Sequence, residues 1–307
     1  MTRTSAPRAG GAAVVGALLV CALAAALATS LLGRIDDWIG QVASSRDRAQ
    51  ALELARGGID YARVILADDL LKTKVDTVDE DWARVLPPIG VDGAELSGRI
   101  EDQQGRWNLN NLLKDGTVDR EALAVHRRLL AALGIPAELA DTLADWLDAD
   151  DTLRPGGAES AYYLSLQPAY PAANRAMEHP SNLLRVKGYD AAMVRRLAPF
   201  VTVLPGRQPV NVNTAPAEVL HALFADLSLA DARQLVAARQ TAHFRDTDDF
   251  RARLPDRDAA PAAEVSVSSQ FFLARANVQV GGARVALSSL LARDGAKRPT
   301  VLWQSQQ

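Results

Sequence analysis

One cysteine among 307 residues rules out an intrachain disulfide, and that residue, Cys21, lies inside an apolar run. Stability must come instead from packing, association or a bound ion. Histidine is as scarce: His126, His179, His221 and His243 are scattered, with no H-x-H or H-E-x-x-H spacing to hold zinc. G-x-S-x-G and phosphate-binding glycine loops are missing as well, so the parts of a catalytic site are not present in any recognisable pattern. Net charge is only −3, which leaves no global basic field to draw the chain to nucleic acid or anionic lipid. Proline is absent between Pro7 and Pro87, so nothing in that stretch forbids one long helix.

What fills the stretch is first of all apolar. Gly11 to Leu32 reads GAAVVGALLVCALAAALATSLL, without a charge, and Arg3 and Arg8 precede it. A run of about 20 apolar residues matches the hydrocarbon thickness of a bilayer, with the basic end kept in the cytoplasm. Three readings fit such a start. A cleaved secretory signal could end at Ala26-Leu27-Ala28, and a plain signal anchor would stay uncut. In the third, a short basic leader ends in glycine and the apolar run continues without a break as an amphipathic helix. Ile35, Trp38, Ile39 and Val42, then Leu52, Ala55, Ile59, Ala62 and Leu66, supply that continuation at helical spacing. Gly57-Gly58 interrupts it, each glycine costing about 1 kcal/mol relative to alanine, so a kink or fraying is expected there.

An acidic passage from Asp76 to Asp81 and then Pro87-Pro88 read as loop and boundary. Leu96, Gly98 and Ile100 alternate with Ser97, Arg99 and Glu101 as a strand, and Asp102-Gln103-Gln104-Gly105 is a turn. Beyond it the pattern is helical: Arg120 to Leu133, stopped by Gly134 and Pro136, then Ala137 to Leu147, Ala191 to Leu197 and Ala217 to Phe224. The carboxyl end returns to strands at Val265 to Val267, Phe271 to Val280, Arg284 to Leu291 and Thr300 to Trp303, with Gly281-Gly282 as a hairpin turn. A small sheet domain interrupted by a helical insertion accounts for this order.

Gly105-Arg106-Trp107-Asn108-Leu109-Asn110-Asn111-Leu112-Leu113 resembles the type II secretion system protein K family, the large minor pseudopilins. The resemblance continues in order through Thr142 to Asp151 with Pro155 to Tyr163, Asn182 to Tyr189, and Phe200 to Pro205 with Val210 to Pro216, and so covers most of the chain. It implies an α+β fold: a pilin-like N-terminal long helix packed on a small antiparallel sheet, with a large, mostly α-helical insertion of SAM-like or helix-hairpin-helix-like units. The corresponding divisions are a leader at 1–11, a transmembrane part at 12–33, the amphipathic helix and first strands at 34–110, helical units at 111–205 and 206–256, and closing strands at 257–307. It also implies cleavage by a prepilin peptidase between Gly11 and Ala12, with Gly10 as the adjacent choice. Anchorage in the inner membrane follows, with a cytoplasmic amino terminus and a periplasmic body. Either cut leaves Val15 or Gly16 as the fifth mature residue, where most fibre subunits carry glutamate. That departure and the insertion imply a tip subunit, which caps the pseudopilus and nucleates it with minor pseudopilins I and J, H being a further candidate, in support of export of folded proteins across the outer membrane.

The acidic segment is the place for chemistry. Asp148, Asp150, Asp151 and Glu159 lie in a loop after a helix, and hard divalent cations take six to eight oxygens from such loops. Counting from Asp148 puts Glu159 at position twelve, but Leu153 stands where an EF-hand loop demands glycine, so a true EF-hand is excluded. The residues alone are better read as a solvated acidic loop. The resemblance implies calcium held there, with Asp145 and Glu178 as lesser candidates.

Val210 to Leu254 resembles a helix-hairpin-helix module, which in nucleic-acid-binding proteins offers backbone N–H groups to phosphate. Here the hairpin is Ala225-Asp226-Leu227-Ser228, with an acid and no glycine, and Asp246, Asp248 and Asp249 lie nearby, so the module is expected to pack or to touch protein rather than DNA. Lys187-Gly188-Tyr189 could form a similar hairpin, and Asn211 and Asn213 are expected to serve as local turn residues. The alternative function is a membrane-anchored periplasmic binding module for protein or DNA that forms no fibre.

Overall fold

A single helix, α1 (Gly10–Lys72), holds the first 63 of the described residues, in a computed structural model that describes residues 10–295 and 297–306. At 1.5 Å per residue it is about 95 Å long. Its two halves meet different surroundings. Val14, Leu18, Leu23, Leu27 and Leu31 are each about 60% exposed, apolar surface that no other described part of the chain covers. Ala51, Ala55, Ile59, Ala62 and Leu66, at spacings of three and four, are buried against a sheet. Among the described residues α1 is the one helix long and apolar enough to cross a membrane.

The remaining elements follow in chain order. β1 (Leu86–Val91) and β2 (Ala94–Asp102) open the sheet, and the short strands β3 (Trp107–Asn108), β4 (Leu113–Lys114) and β5 (Thr117–Val118) lead into helices α2 (Arg120–Ala132), α3 (Leu139–Leu147), α4 (Ser160–Leu164) and α5 (Ala191–Leu197). β6 (Val201–Thr202) and β7 (Val210–Asn211) precede α6 (Ala217–Leu223), α7 (Leu229–Thr241) and α8 (Thr247–Ala252). β8 (Val265–Ser266), β9 (Phe271–Val280), β10 (Ala283–Ala292) and β11 (Thr300–Gln306) close the chain.

The main sheet runs β1-β2-β9-β10-β11, antiparallel throughout. Register places Ala94 opposite Val280 and Ile100 opposite Ala274, so β2 and β9 are neighbours although residues 103–270 lie between the end of one and the start of the other. The insertion leaves one strand and returns on the next, as the α+β pattern predicts. Phe272, Ala274, Ala276, Val278 and Val280 turn one face of β9 onto α1. Period-two alternation in the sequence and period-3.6 spacing in α1 meet in this core.

Two local expectations change. α1 runs through Gly57-Gly58 without fraying: a β-carbon on Gly58 would lie 3.1 Å from the Ala276 β-carbon, so this glycine lets helix and sheet approach. Pro87-Pro88 is not a boundary but part of β1, the sheet's edge strand, with a register irregularity between Leu86 and Ile89; an edge position needs no second set of ladder donors. β1 and β2 join at Asp92-Gly93, both at positive φ (50° and 78°), the conformation of a tight hairpin turn.

The insertion has its own core. Trp107, Leu109 and Leu112 join Leu129, Leu130, Leu143, Trp146 and Tyr163 with Leu220, Phe224, Phe244 and Phe250 in a single cluster. The expected units 111–205 and 206–256 thus share one interior. Its packing begins before residue 111, at Trp107, and continues beyond 256, where Ala259, Ala262 and Val265 lie against it and β8 pairs with β7. Side-chain amides stitch its loops. Asn110 Nδ2 donates to Met177 O and Leu204 O (2.9 Å each), and Asn108 Oδ1 accepts from Leu204 N (2.9 Å). Asn213 bonds both polar backbone groups of Phe244, and Asn211 reaches Asp76, Asp102 and Ser269. These asparagines therefore tie distant segments as well as their own turn.

The junction between the two cores is charged and buried. Arg293, 5% exposed, pairs with Asp69 at 3.0 Å and with Asp76 at 2.6 Å and donates to Ser269 O. Asp102 accepts from Thr214, Ser269 and Asn211. Burial, then the charges of Glu80 and Asp76, push the Asp69 carboxyl up to about 6, and burial raises Asp76 and Asp102 as well. Since Asn211 of the insertion bonds Asp76, just past the carboxyl end of α1, the insertion is fastened at the end of the helix opposite its apolar half.

Candidate metal centre

α3 ends at Leu147, directed at the acidic loop, so its last carbonyls and macrodipole already favour a cation there. Asp145 projects from the last turn, Asp148 caps the end, and Glu159 precedes α4. Asp148, Asp150 and Glu159 each offer a carboxylate oxygen within 4.8 Å of the others. Asp148 (0% exposed) and Glu159 (6%) are buried, while Asp150 is exposed and accepts from the Thr152 backbone N–H at 2.7 Å.

The sequence-predicted candidates divide at this point. Asp151 is exposed and lies outside the group of three. Asp145 is buried but occupied: Arg154 Nη1 lies 2.7 Å from its Oδ1, and the Arg154 backbone N–H donates to its Oδ2 at 3.2 Å. Glu178 pairs with Arg175 on the surface at 3.3 Å. Gly11 and Ala12 lie in the first turn of α1, and leader residues 1–9 are outside the described residues.

Three oxygens in the cluster have no partner: Asp148 Oδ1 and both Glu159 oxygens, all buried. Burial first, and then the charges of Asp145, Asp148, Asp151 and Asp150, push the Glu159 carboxyl up to about 7. Burial also raises Asp148, against the pull of Arg154. An unpaired buried carboxylate oxygen is costly, and a hard divalent cation with oxygen ligands removes that cost. The residues present therefore fit calcium.

A second acidic group, Asp69, Asp76 and Glu80, makes a useful contrast. Arg293 already neutralises its two aspartates, while Glu80 accepts from Thr73, Thr77 and Trp82. That group has its cation built in. The histidines enter neither group; His126 is buried 3.3 Å from the Tyr189 hydroxyl, and burial pushes it down to about 3.

In the helix-hairpin-helix-like part, α6 and α7 are joined through a buried Leu227 whose carbonyl lies 2.6 Å from His221 Nδ1. Arg239, a cation that a phosphate would need, is buried and donates to Val212 O and Ala215 O at 2.6 Å. Lys187 likewise points inward, to Gly157 O at 3.0 Å. Both basic groups serve packing.

Sequence reasoning missed Arg154, and it reads Gly157, with Gly156, only as a residue that allows a sharp turn in the acidic loop. Gly157 is pressed against Asp145, and any β-carbon there would overlap the Asp145 Oδ2. The signal was an arginine and a Gly-Gly pair inside an otherwise acidic run.

Two protein-family models described as Type II secretion system (T2SS), protein K match residues 105–206 and 210–268. Type II secretion system protein K of Pseudomonas aeruginosa is 38% identical over 296 residues, which span 92% of this chain and 88% of that protein. The chain belongs to the type II secretion system protein K family. Protein K of Klebsiella pneumoniae is 32% identical and spans 93% of both chains. Among solved structures, a chain in the GspK-GspI-GspJ complex of enterotoxigenic Escherichia coli matches with a TM-score of 0.77 and 25% identity, over 87% of this chain and 99% of that one. Members of the protein K family are minor pseudopilins, structural parts of a secretion system, and α1 fits the single-pass membrane anchor of such a subunit. The matched segments, 105–206 and 210–268, follow the packing of the insertion, from Trp107 to Val267.

Proposed function

We propose that this chain caps the tip of a periplasmic pseudopilus and nucleates its assembly with minor pseudopilins I and J. The observation that carries the reading is the likeness along 99% of the GspK chain of a complex with GspI and GspJ. The two halves of α1 support it. The apolar half is held in the inner membrane after a prepilin peptidase removes the leader, and then moves from lipid to a core of neighbouring helices. Burial is preserved while the partner changes, and the alanines and glycines of the run permit close helix packing. The insertion, tied through Asn211 to Asp76 and Asp102, sits over the other end of the helix and obstructs a further subunit above it.

Asp148, Asp150 and Glu159 hold calcium in this reading, supported by their unpartnered oxygens. When bound, the ion supplies a cross-link between the end of α3 and the start of α4. The test is co-expression with the I and J subunits of the same system, followed by detergent extraction and size-exclusion chromatography. Elution of the three in equal amounts is the expected result, and recovery of this chain alone contradicts it.

A further inference from the structure

We propose that Arg154 is a resident cation at one end of the carboxylate cluster, so that the loop takes a single divalent ion on Asp148 Oδ1, Asp150 and Glu159, while Asp145 gives that ion no oxygen. The inference rests on the calcium reading above. Its basis is the way the buried oxygens are shared. Asp145, 0% exposed, spends Oδ1 on Arg154 Nη1 (2.7 Å) and Oδ2 on the Arg154 backbone N–H (3.2 Å). The same Nη1 lies 2.7 Å from Asp148 Oδ2. Asp148 therefore divides its two oxygens: Oδ2 goes to the guanidinium, while Oδ1 is buried without a partner, as are both oxygens of Glu159, in a carboxylate group that also includes Asp150.

Two further features fix this division. Gly157 packs so closely on Asp145 Oδ2 that even a β-carbon would overlap it, leaving no room for an ion on that side. Arginine keeps its charge at any ordinary pH, so one positive charge stays shared between Asp145 and Asp148. Take the guanidinium away, and two buried carboxylates lose their only counter-charge, which a second divalent ion can replace.

The experiment is native mass spectrometry of the full-length chain in detergent, stripped with chelator and titrated with calcium chloride. The wild type and Asp145→Asn each take up one ion, Arg154→Lys also takes one, Arg154→Gln takes two, and Glu159→Gln takes none. Two ions on the wild type, loss of uptake in Asp145→Asn, or a single ion on Arg154→Gln whose circular dichroism matches the wild type would overturn the assignment. Should Arg154→Gln fail to fold, the wild-type stoichiometry and Asp145→Asn decide. Uptake of no ion by the wild type contradicts the calcium reading itself, and is thereby distinguished from a failure of the role given to Arg154.

Discussion

Glu159 brings two carboxylate oxygens into a buried site where no donor meets them, and its carboxyl is pushed up to about 7 against an ordinary 4.5. A raised carboxyl contributes stability while protonated: the contribution is complete below about 4.5 and is lost as pH rises through about 7. Glu159→Gln should therefore stabilise the metal-free protein at pH 8 by about 2–3 kcal/mol, with no gain at pH 4. Saturating calcium should reverse the order at pH 8, because only the wild type gains from it. Thermal unfolding at the two pH values, with and without calcium, checks this; equal wild-type and variant stability at pH 8 without metal would contradict it. At this scale the sequence showed the acids but not their division. Asp148, Asp150 and Asp151 stand nearly side by side, and only burial tells that the first is enclosed and the third exposed. Arg154 was not singled out, since its bonds to Asp145 and Asp148 depend on how that loop closes.

Between elements, α1 and the sheet show how much periodicity can foretell. The stripe Ala55, Ile59, Ala62, Leu66 and the alternation of Ala274, Ala276, Val278 and Val280 were legible because each face buries residues at its own period. The two glycines between them were misread, because helix propensity knows nothing of the partner surface. Gly57 has open space around its position, whereas Gly58 abuts Ala276 and Leu96. Gly57→Ala should stabilise by up to about 1 kcal/mol through helix propensity. Gly58→Leu should instead cost about 1–3 kcal/mol through overpacking. Opposite shifts of the melting temperature in detergent are the expected outcome, and a rise for both would contradict the close packing. β1 was missed for a comparable reason: two prolines mask a strand that an edge position tolerates, although Asp92-Gly93 marked its turn.

At the scale of the molecule, the plan of an interrupted sheet could be read from the order of strands and helices, and the resemblance named the same plan. What could not be read is how the insertion is fastened. Asn211 of the insertion meets Asp76 across 135 residues of chain and Asp102 across 109, while Arg293, from the closing strands, holds Asp76 and Asp69 in place. Such pairings depend on the complete fold. They set the insertion at one end of α1 and leave the apolar half bare at the other, the arrangement expected of a subunit that is stored in a membrane and then assembled through its helix. The most direct test of that account is the intact mass and amino-terminal sequence of the membrane-extracted protein, expressed with and without a prepilin peptidase. The account predicts a start at Ala12 or Gly11 that appears only with the peptidase; a start near Thr29, or an uncut Met1 in its presence, would contradict it.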